Sequence, residues 1–493
     1  MRRVRAAVTA ALVIASPFTG AAQQYRARVD ASAQGVTFRG LMADSIAADQ
    51  VVAGANGGLE TPDGHAVRCG TSNYCFYFRP GASVHAVPLF ASGSVILWGL
   101  GIEGLSVRAT GRLTADAGRD NAWPGTEPAG QLLEGYAEYE RGSLTVRGGR
   151  QLVASRLEAI GIDGGWLRSR WDAASVDVIA YAGWGLGRAA AVTASNPALN
   201  PLDEWRPRDR QHVAGAEAAW WSGDTDVRAE YRREIDPYDG GFVSERAALS
   251  LGARIDALRA VAGLDYNIAE GQLGSADVNL TYARPRYVAT AGARRYRPFF
   301  SLWTLWGAFS PVPYNAVHGS VHVRATSRVS VMARAERYWY DDAEVSTALV
   351  SGLEDRGWRV SSGVTATLSD AITLDANYAA EFGPGAAGRF ADAGLDYAPD
   401  ARYSFGIYGG VLQRPLEFRF YDAESRWLGG RGEWNITERR RVWAEMSVVG
   451  DDRERPDAGG SSLSHVRLRT GLSLAFGSAA DRAPLPPARR SRQ

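Results

Sequence analysis

The chain contains no lysine: its 55 basic residues are all arginine, set against 54 acidic ones for a formal net charge of +1. Such a balance gives no overall attraction to nucleic acid. Histidine (6), methionine (4) and cysteine (2) are scarce. His318 and His322 in "HGSVH" share a strand face, yet no third ligand stands beside them, and no cofactor is implied. GxSxG, HExxH and glycine-rich phosphate loops are missing, so the expectation is a protein that is not an enzyme. Long apolar runs are missing too. The longest uncharged stretch past the N-terminus, residues 298–323, holds Pro298, Pro311 and Pro313 and carries no helical stripe, which excludes a spanning helix there. The two cysteines lie in "CGTSNYC" with no His or acidic cluster at hand, so Cys69 and Cys75 are expected to form a disulfide in an oxidising compartment.

What is plentiful is glycine, at 56 residues, together with 15 Trp and 20 Tyr. Glycine weakens strands in water but is common where barrels bend, and Trp and Tyr favour membrane interfaces. The N-terminus has a charged stretch (Arg2, Arg3, Arg5), an apolar stretch from Ala6 to Phe18, and a small-residue cleavage site at Gly20-Ala21-Ala22. Residues 1–22 therefore read as a secretory signal. An exported chain without a spanning helix is either soluble or a barrel.

Alternation of period two runs through the rest. In "HVRLRTGLSLAF" (465–476), Val466, Leu468, Leu472, Leu474 and Phe476 take one face, and Arg467 and Arg469 take the other. Segments at 257–268, 276–282, 372–378 and 441–448 repeat the pattern. Each has the length of a tilted strand crossing a bilayer. Their connections alternate between tight turns ("RG", "WSGD", "IDA", "SDA") and long polar loops ("NPALNPLDEWRPRDR", "YDDAEVSTALVSGLED"). A membrane barrel predicts that rhythm, with short periplasmic turns and long extracellular loops, and a Greek-key sandwich does not. The expected fold is an all-β, closed antiparallel transmembrane β-barrel over residues 23–476, with about 22 strands in a range of 18–22. Its first strand (Tyr25–Ala33) and the Leu144–Arg150 strand are the least marked. Residues 477–493 are a Pro- and Arg-rich periplasmic tail with the composition of a disordered segment.

Two observations favour lipid over a protein core on the oily face. Aromatics gather near strand ends: Tyr139, Trp184, Trp220, Tyr231, Tyr266, Tyr282, Trp358, Tyr397, Trp434 and Phe476. The opposite face carries ions of both signs, as in Asp226, Arg228, Glu230, Arg232 and Glu234 on one strand, which a water-filled lumen tolerates. The implied location is the bacterial outer membrane, with its lipid and the barrel-assembly machinery as partners. The oligomeric state is not written in the sequence.

The stretch from Thr145 to Gly185 resembles the alginate-export family of outer-membrane porins, through Gly149, Arg150, Gln151, Arg156, Asp163, Gly164 and Arg168. The resemblance implies an 18-stranded barrel with an arginine-lined lumen that passes anionic polysaccharide.

The chemistry expected of such a lumen is electrostatic and steric. Candidate pore-lining residues are Arg108, Arg112, Glu134, Glu138, Arg150, Arg168, Arg170, Arg228, Arg246, Arg254, Arg294, Arg467 and Arg469. The segment "RRYRPFFSLWTLWGAFSPVPYN" (294–315) is too aromatic for an exposed loop. Folded inward it would narrow the pore, with Arg297, Phe300, Trp303, Trp306 and Phe309 as constriction residues, and the region 36–88 is expected to obstruct the lumen as well. The expected function is a porin-like channel for passive diffusion of small hydrophilic solutes, sugars or anions. A polysaccharide exporter of the alginate type and a barrel enzyme or adhesin are the alternatives.

Overall fold

A computed structural model describes residues 24–54, 58–65, 67–71, 73–118, 123, 130–186, 211–235, 240, 242–297, 313–341, 356–383, 388–414, 422–454 and 461–478. Twenty-two strands form one closed antiparallel barrel. From Pro88–Trp98 onward every strand pairs with its neighbour in sequence. The strand Gln24–Ala47 closes the ring, pairing with Ser461–Gly477 on one edge and Pro88–Trp98 on the other. Among the described residues no helix is long and apolar enough to cross a membrane.

The two least marked strands are both present, as Gln24–Ala47 and Leu144–Val153. The first runs well past Ala33 because its second half has a partner of its own. Val36–Ala47 pairs with Tyr74–Ala86, so the opening hairpin continues beyond the barrel wall. The disulfide Cys69–Cys75 pins a short strand, Val67–Cys69, to this extension. Tyr74, Phe76 and Phe78 on one of its faces remain 56, 60 and 42% exposed, so that face does not pack on the lumen wall as an obstructing loop would. Its base is tied to the next long connection, where the Asp116 carboxylate accepts the Val87 amide at 2.8 Å.

Alternation sorts the side chains as the sequence implies. Val466 and Leu468 face outward and expose 50 and 54% of their area, the share a lipid-facing residue would give to acyl chains. Arg467 and Arg469 turn inward between them. Tight turns need residues that accept left-handed backbone, and Gly142 (φ 57°) and Asp256 (φ 51°) occupy two of them.

Glycine and the large aromatics prove to be coupled. A Cβ at Gly215 would strike the ring of Tyr181 on the adjacent strand, and one at Gly471 would strike Trp443. On the inner face, rings lie down across neighbouring glycines instead of standing out into the lumen.

Candidate functional site

A barrel has no layered core, and among the described residues five buried apolar side chains pack together as a small cluster: Val153, Ile160, Ile162, Tyr181 and Val213. All project from the inner face. They sit where a short connection, residues 154–159, leaves the Leu144–Val153 strand and returns as Ile160–Trp171. The connection folds into the barrel and not away from it. Leu157 at its tip is 1% exposed. Burying a leucine to that degree contributes roughly 1.5–3 kcal/mol.

Ions on the facing wall hold the connection in place. The Glu230 carboxylate accepts the amide of Arg156 at 2.8 Å and that of Leu157 at 3.4 Å. Arg232, 1% exposed, donates to the carbonyls of Leu157 and Glu158, and Arg246 donates to Leu157 O at 3.3 Å. The Arg156 side chain extends further and pairs with Asp277 on the Gln272–Arg284 strand. Backbone groups that a buried connection would leave unsatisfied are thereby paired with charged donors and acceptors, the stronger kind of hydrogen bond. The result is a strap fixed across several strands on the inside of the barrel.

A second assembly lies on the wall further along the sheet. Glu336, 1% exposed, accepts from Arg294 at 2.7 and 2.9 Å, from Arg359 at 2.9 Å and from Arg334 at 3.2 Å. Arg359 also binds Glu381 at 2.9 Å and stacks on Tyr338, 4.4 Å from the ring centre. Three guanidinium groups share one central carboxylate, so the patch keeps positive charge toward the lumen.

The other expected pore-lining residues are mostly paired with near neighbours. Glu138 bridges Arg147 at 2.5 Å, Arg168 binds Asp177 at 2.9 Å, and Arg170 binds Asp172 at 2.7 Å. Arg228 meets Glu217 at 3.3 Å, Arg246 meets Asp265 at 3.3 Å, and Arg469 lies 4.0 Å from Glu445. Arg108 donates to the Tyr136 hydroxyl at 3.2 Å, Arg112 to Gln131 at 2.6 Å, Arg254 to Asp256 O at 3.2 Å, and Arg467 lies 3.4 Å from His465. Glu134 stands opposite Thr110, beside a bulge. The charges thus interleave along the wall.

Arg150 departs from the expectation of a pore-lining residue. Arg147 is inward, in register with Glu138 and Trp166, and three residues on the strand presents the opposite face. Arg150 therefore shares the outer surface with Leu144, Val146 and Leu152. It binds Asp163 there at 2.7 and 2.9 Å and covers the carbonyl of Leu132 at 2.9 Å, where a bulge interrupts the ladder. The inward arginine of this strand is Arg147, absent from the expected set. Of the aromatic segment, Arg297 is described, and its amide donates to Gly274 O at 2.7 Å. Phe300, Trp303, Trp306 and Phe309 lie outside the described residues. Among the described residues no cluster of three metal-binding side chains occurs.

The strap is the feature that sequence reading missed. Its residues occur in the Thr145–Gly185 stretch, including Arg156, but nothing in the short run "ASRLEA" marks it as inward. The available signal was Glu230 and Arg232 themselves, two large charged residues two positions apart on the inward face of one strand.

No family model matches the chain, and no curated protein matches it in sequence. Solved structures do resemble it. A variant of the ferric enterobactin receptor from Pseudomonas aeruginosa, bound to enterobactin, aligns with 91% of this chain and 81% of its own at 11% identity and a TM-score of 0.53. The siderophore receptor PirA from the same organism aligns with 91 and 80% of the two chains at 11% identity and a TM-score of 0.51. These likenesses carry the fold, a closed barrel of the bacterial outer membrane. The 22 strands exceed the 18 implied by the alginate-export resemblance.

Proposed function

We propose that this barrel is a channel through which small hydrophilic solutes cross the outer membrane by diffusion, with the 154–159 strap as a fixed restriction. The observation that carries the reading is the strap itself: a connection folded inward and anchored by Glu230, Arg232, Arg246 and Asp277, on a wall otherwise lined by solvated ion pairs. Charged rings and inward connections are the means by which wide barrels select and limit what passes.

The test is reconstitution of the purified chain in planar bilayers. Discrete ionic conductance is expected, and deletion of residues 155–158 should raise it. A preparation that inserts correctly but passes no current would remove the channel reading.

The Arg294, Arg334 and Arg359 patch around Glu336 supports a second reading, export of an anionic polysaccharide. Uronate oligomers would then block the current where neutral sugars do not.

A further inference from the structure

A cavity of about 140 Å³ lies under the base of the strap, between Ser155 and the inner wall. Its wall is laid out along one hydrogen-bonded row. Arg147 stands opposite Trp166, Trp166 opposite Tyr181, and Tyr181 opposite Gly215. Because Gly215 has no side chain, the Tyr181 ring lies flat over it. Ile179 and Trp166 continue the apolar surface. The Arg147 guanidinium sits 4.4 Å from the Trp166 ring centre and closes one side.

The other side is acidic. Glu217 and Glu230 are direct cross-strand partners, and both line the cavity. Glu230 is 6% exposed and the Glu217 side chain 10% exposed. Each has a partner, Arg228 for Glu217 and the strap amides for Glu230, so both remain acceptors held in place. Two carboxylates side by side repel a third. The same pair offers adjacent acceptors to two neighbouring hydroxyls.

We infer that this cavity is a subsite for a single uncharged pyranose ring. An aromatic floor takes the apolar face of the sugar, the Glu217–Glu230 edge takes vicinal hydroxyls, and Arg147 donates to a ring or hydroxyl oxygen. The volume is on the scale of a single pyranose ring. The acid pair selects against uronates, opposite in sense to the Arg294 patch. The inference rests on the channel reading, since it places the subsite on the solute's path beside the strap.

The experiment is isothermal calorimetry on the full chain in detergent, with methyl β-D-glucopyranoside and methyl β-D-galactopyranoside as neutral probes and glucuronate as the anionic one. Saturable binding of at least one neutral probe is expected, with glucuronate weaker. Trp166→Leu should weaken neutral binding roughly two- to tenfold, the loss expected of one stacking partner. Glu217→Gln should narrow the gap between neutral and anionic probes, a change of selectivity that a purely structural role for Glu217 does not produce. Glucuronate binding as tightly as the neutral sugars, or no saturable binding of either neutral probe, would overturn the subsite. Conductance measured on the same preparations separates the two ideas: current without sugar binding removes the subsite alone, and sugar binding without current removes the channel alone.

Discussion

Arg156 and Asp277 are 121 residues apart in sequence, yet their side chains pair across the inner wall of the barrel. Five strands lie between the Ile160–Trp171 strand, which the connection enters, and the Gln272–Arg284 strand that carries Asp277, from Val176–Gly185 to Leu258–Asn267. It makes the strap a brace as well as a restriction. Arg156→Ala should free the far end of the strap while Glu230 still holds its amides. Single-channel recordings are expected to show greater conductance or added open-state noise, and unchanged conductance with unchanged noise would contradict this role.

Leu157 is the apolar anchor of the same connection. Leu157→Ala leaves a void at a fully buried site, and such truncations cost about 2–5 kcal/mol. The expected outcome is a lower unfolding midpoint in detergent, read by loss of the folded band on unheated gels, together with a less restricted current.

Glu336 pairs with three arginines from three strands. Glu336→Gln removes the shared acceptor charge and leaves the guanidinium groups to repel one another. The arginine side chains left behind are 32–50% exposed, so the cost should fall below the about 3–5 kcal/mol of breaking a fully buried pair. The surviving barrels should also become more anion-selective. The reversal potential in a salt gradient reads this, and an unmoved potential would show that the patch does not face the conducting path.

The outward pair Arg150–Asp163 makes a different demand. Removing one partner strands an ion on the surface facing lipid, where a lone arginine costs up to about 2–4 kcal/mol according to depth and a lone carboxylate less. Arg150→Leu alone should impair folding into lipid vesicles more than Arg150→Leu combined with Asp163→Leu. Equal impairment by the single and double variants would argue that the Leu132 carbonyl contact dominates.

Beyond the barrel wall, Asp44 accepts the Ser45 amide at 2.8 Å and pairs with Arg79 at 2.7 Å, and together these hold its carboxyl below its ordinary value of 3.8. The sign follows from the depression. The stabilisation is present above the ordinary value and is lost as pH falls through the lower, folded one. Protease nicking of the hairpin extension should therefore increase only at pH below about 3.8, and Asp44→Asn should remove that dependence.

Much of this fold is legible in the sequence because a barrel is written in periodicity. Period two, strand length and the rhythm of turns suffice for closure and count. The faces of Arg467 and Arg469 follow from the leucines between them. Arg150 was misassigned because its motif, Gly149-Arg150-Gln151, carries no phase of its own, and a single step in register exchanges lumen for lipid. The strap was invisible for another reason. Whether "ASRLEA" points out or in depends on Glu230, Arg232 and Asp277, which are local to it only after the sheet has formed. The length of the first strand was misread similarly, since Val36–Ala47 needs Tyr74–Ala86 to be a strand at all.

The ring is joined by a seam between residues from the two ends of the chain, where Ser473 donates to Asp30 at 2.6 Å across 443 positions. Every other junction in the wall follows the order of synthesis, so the sheet can lengthen one hairpin at a time. This last junction has no such help. Until the terminal segment meets Gln24–Ala47, the growing ribbon carries two raw margins of unpaired amides and carbonyls, which hydrocarbon does not tolerate. The seam is therefore the step at which insertion stands or fails, and damage to either margin should be felt by the whole circumference.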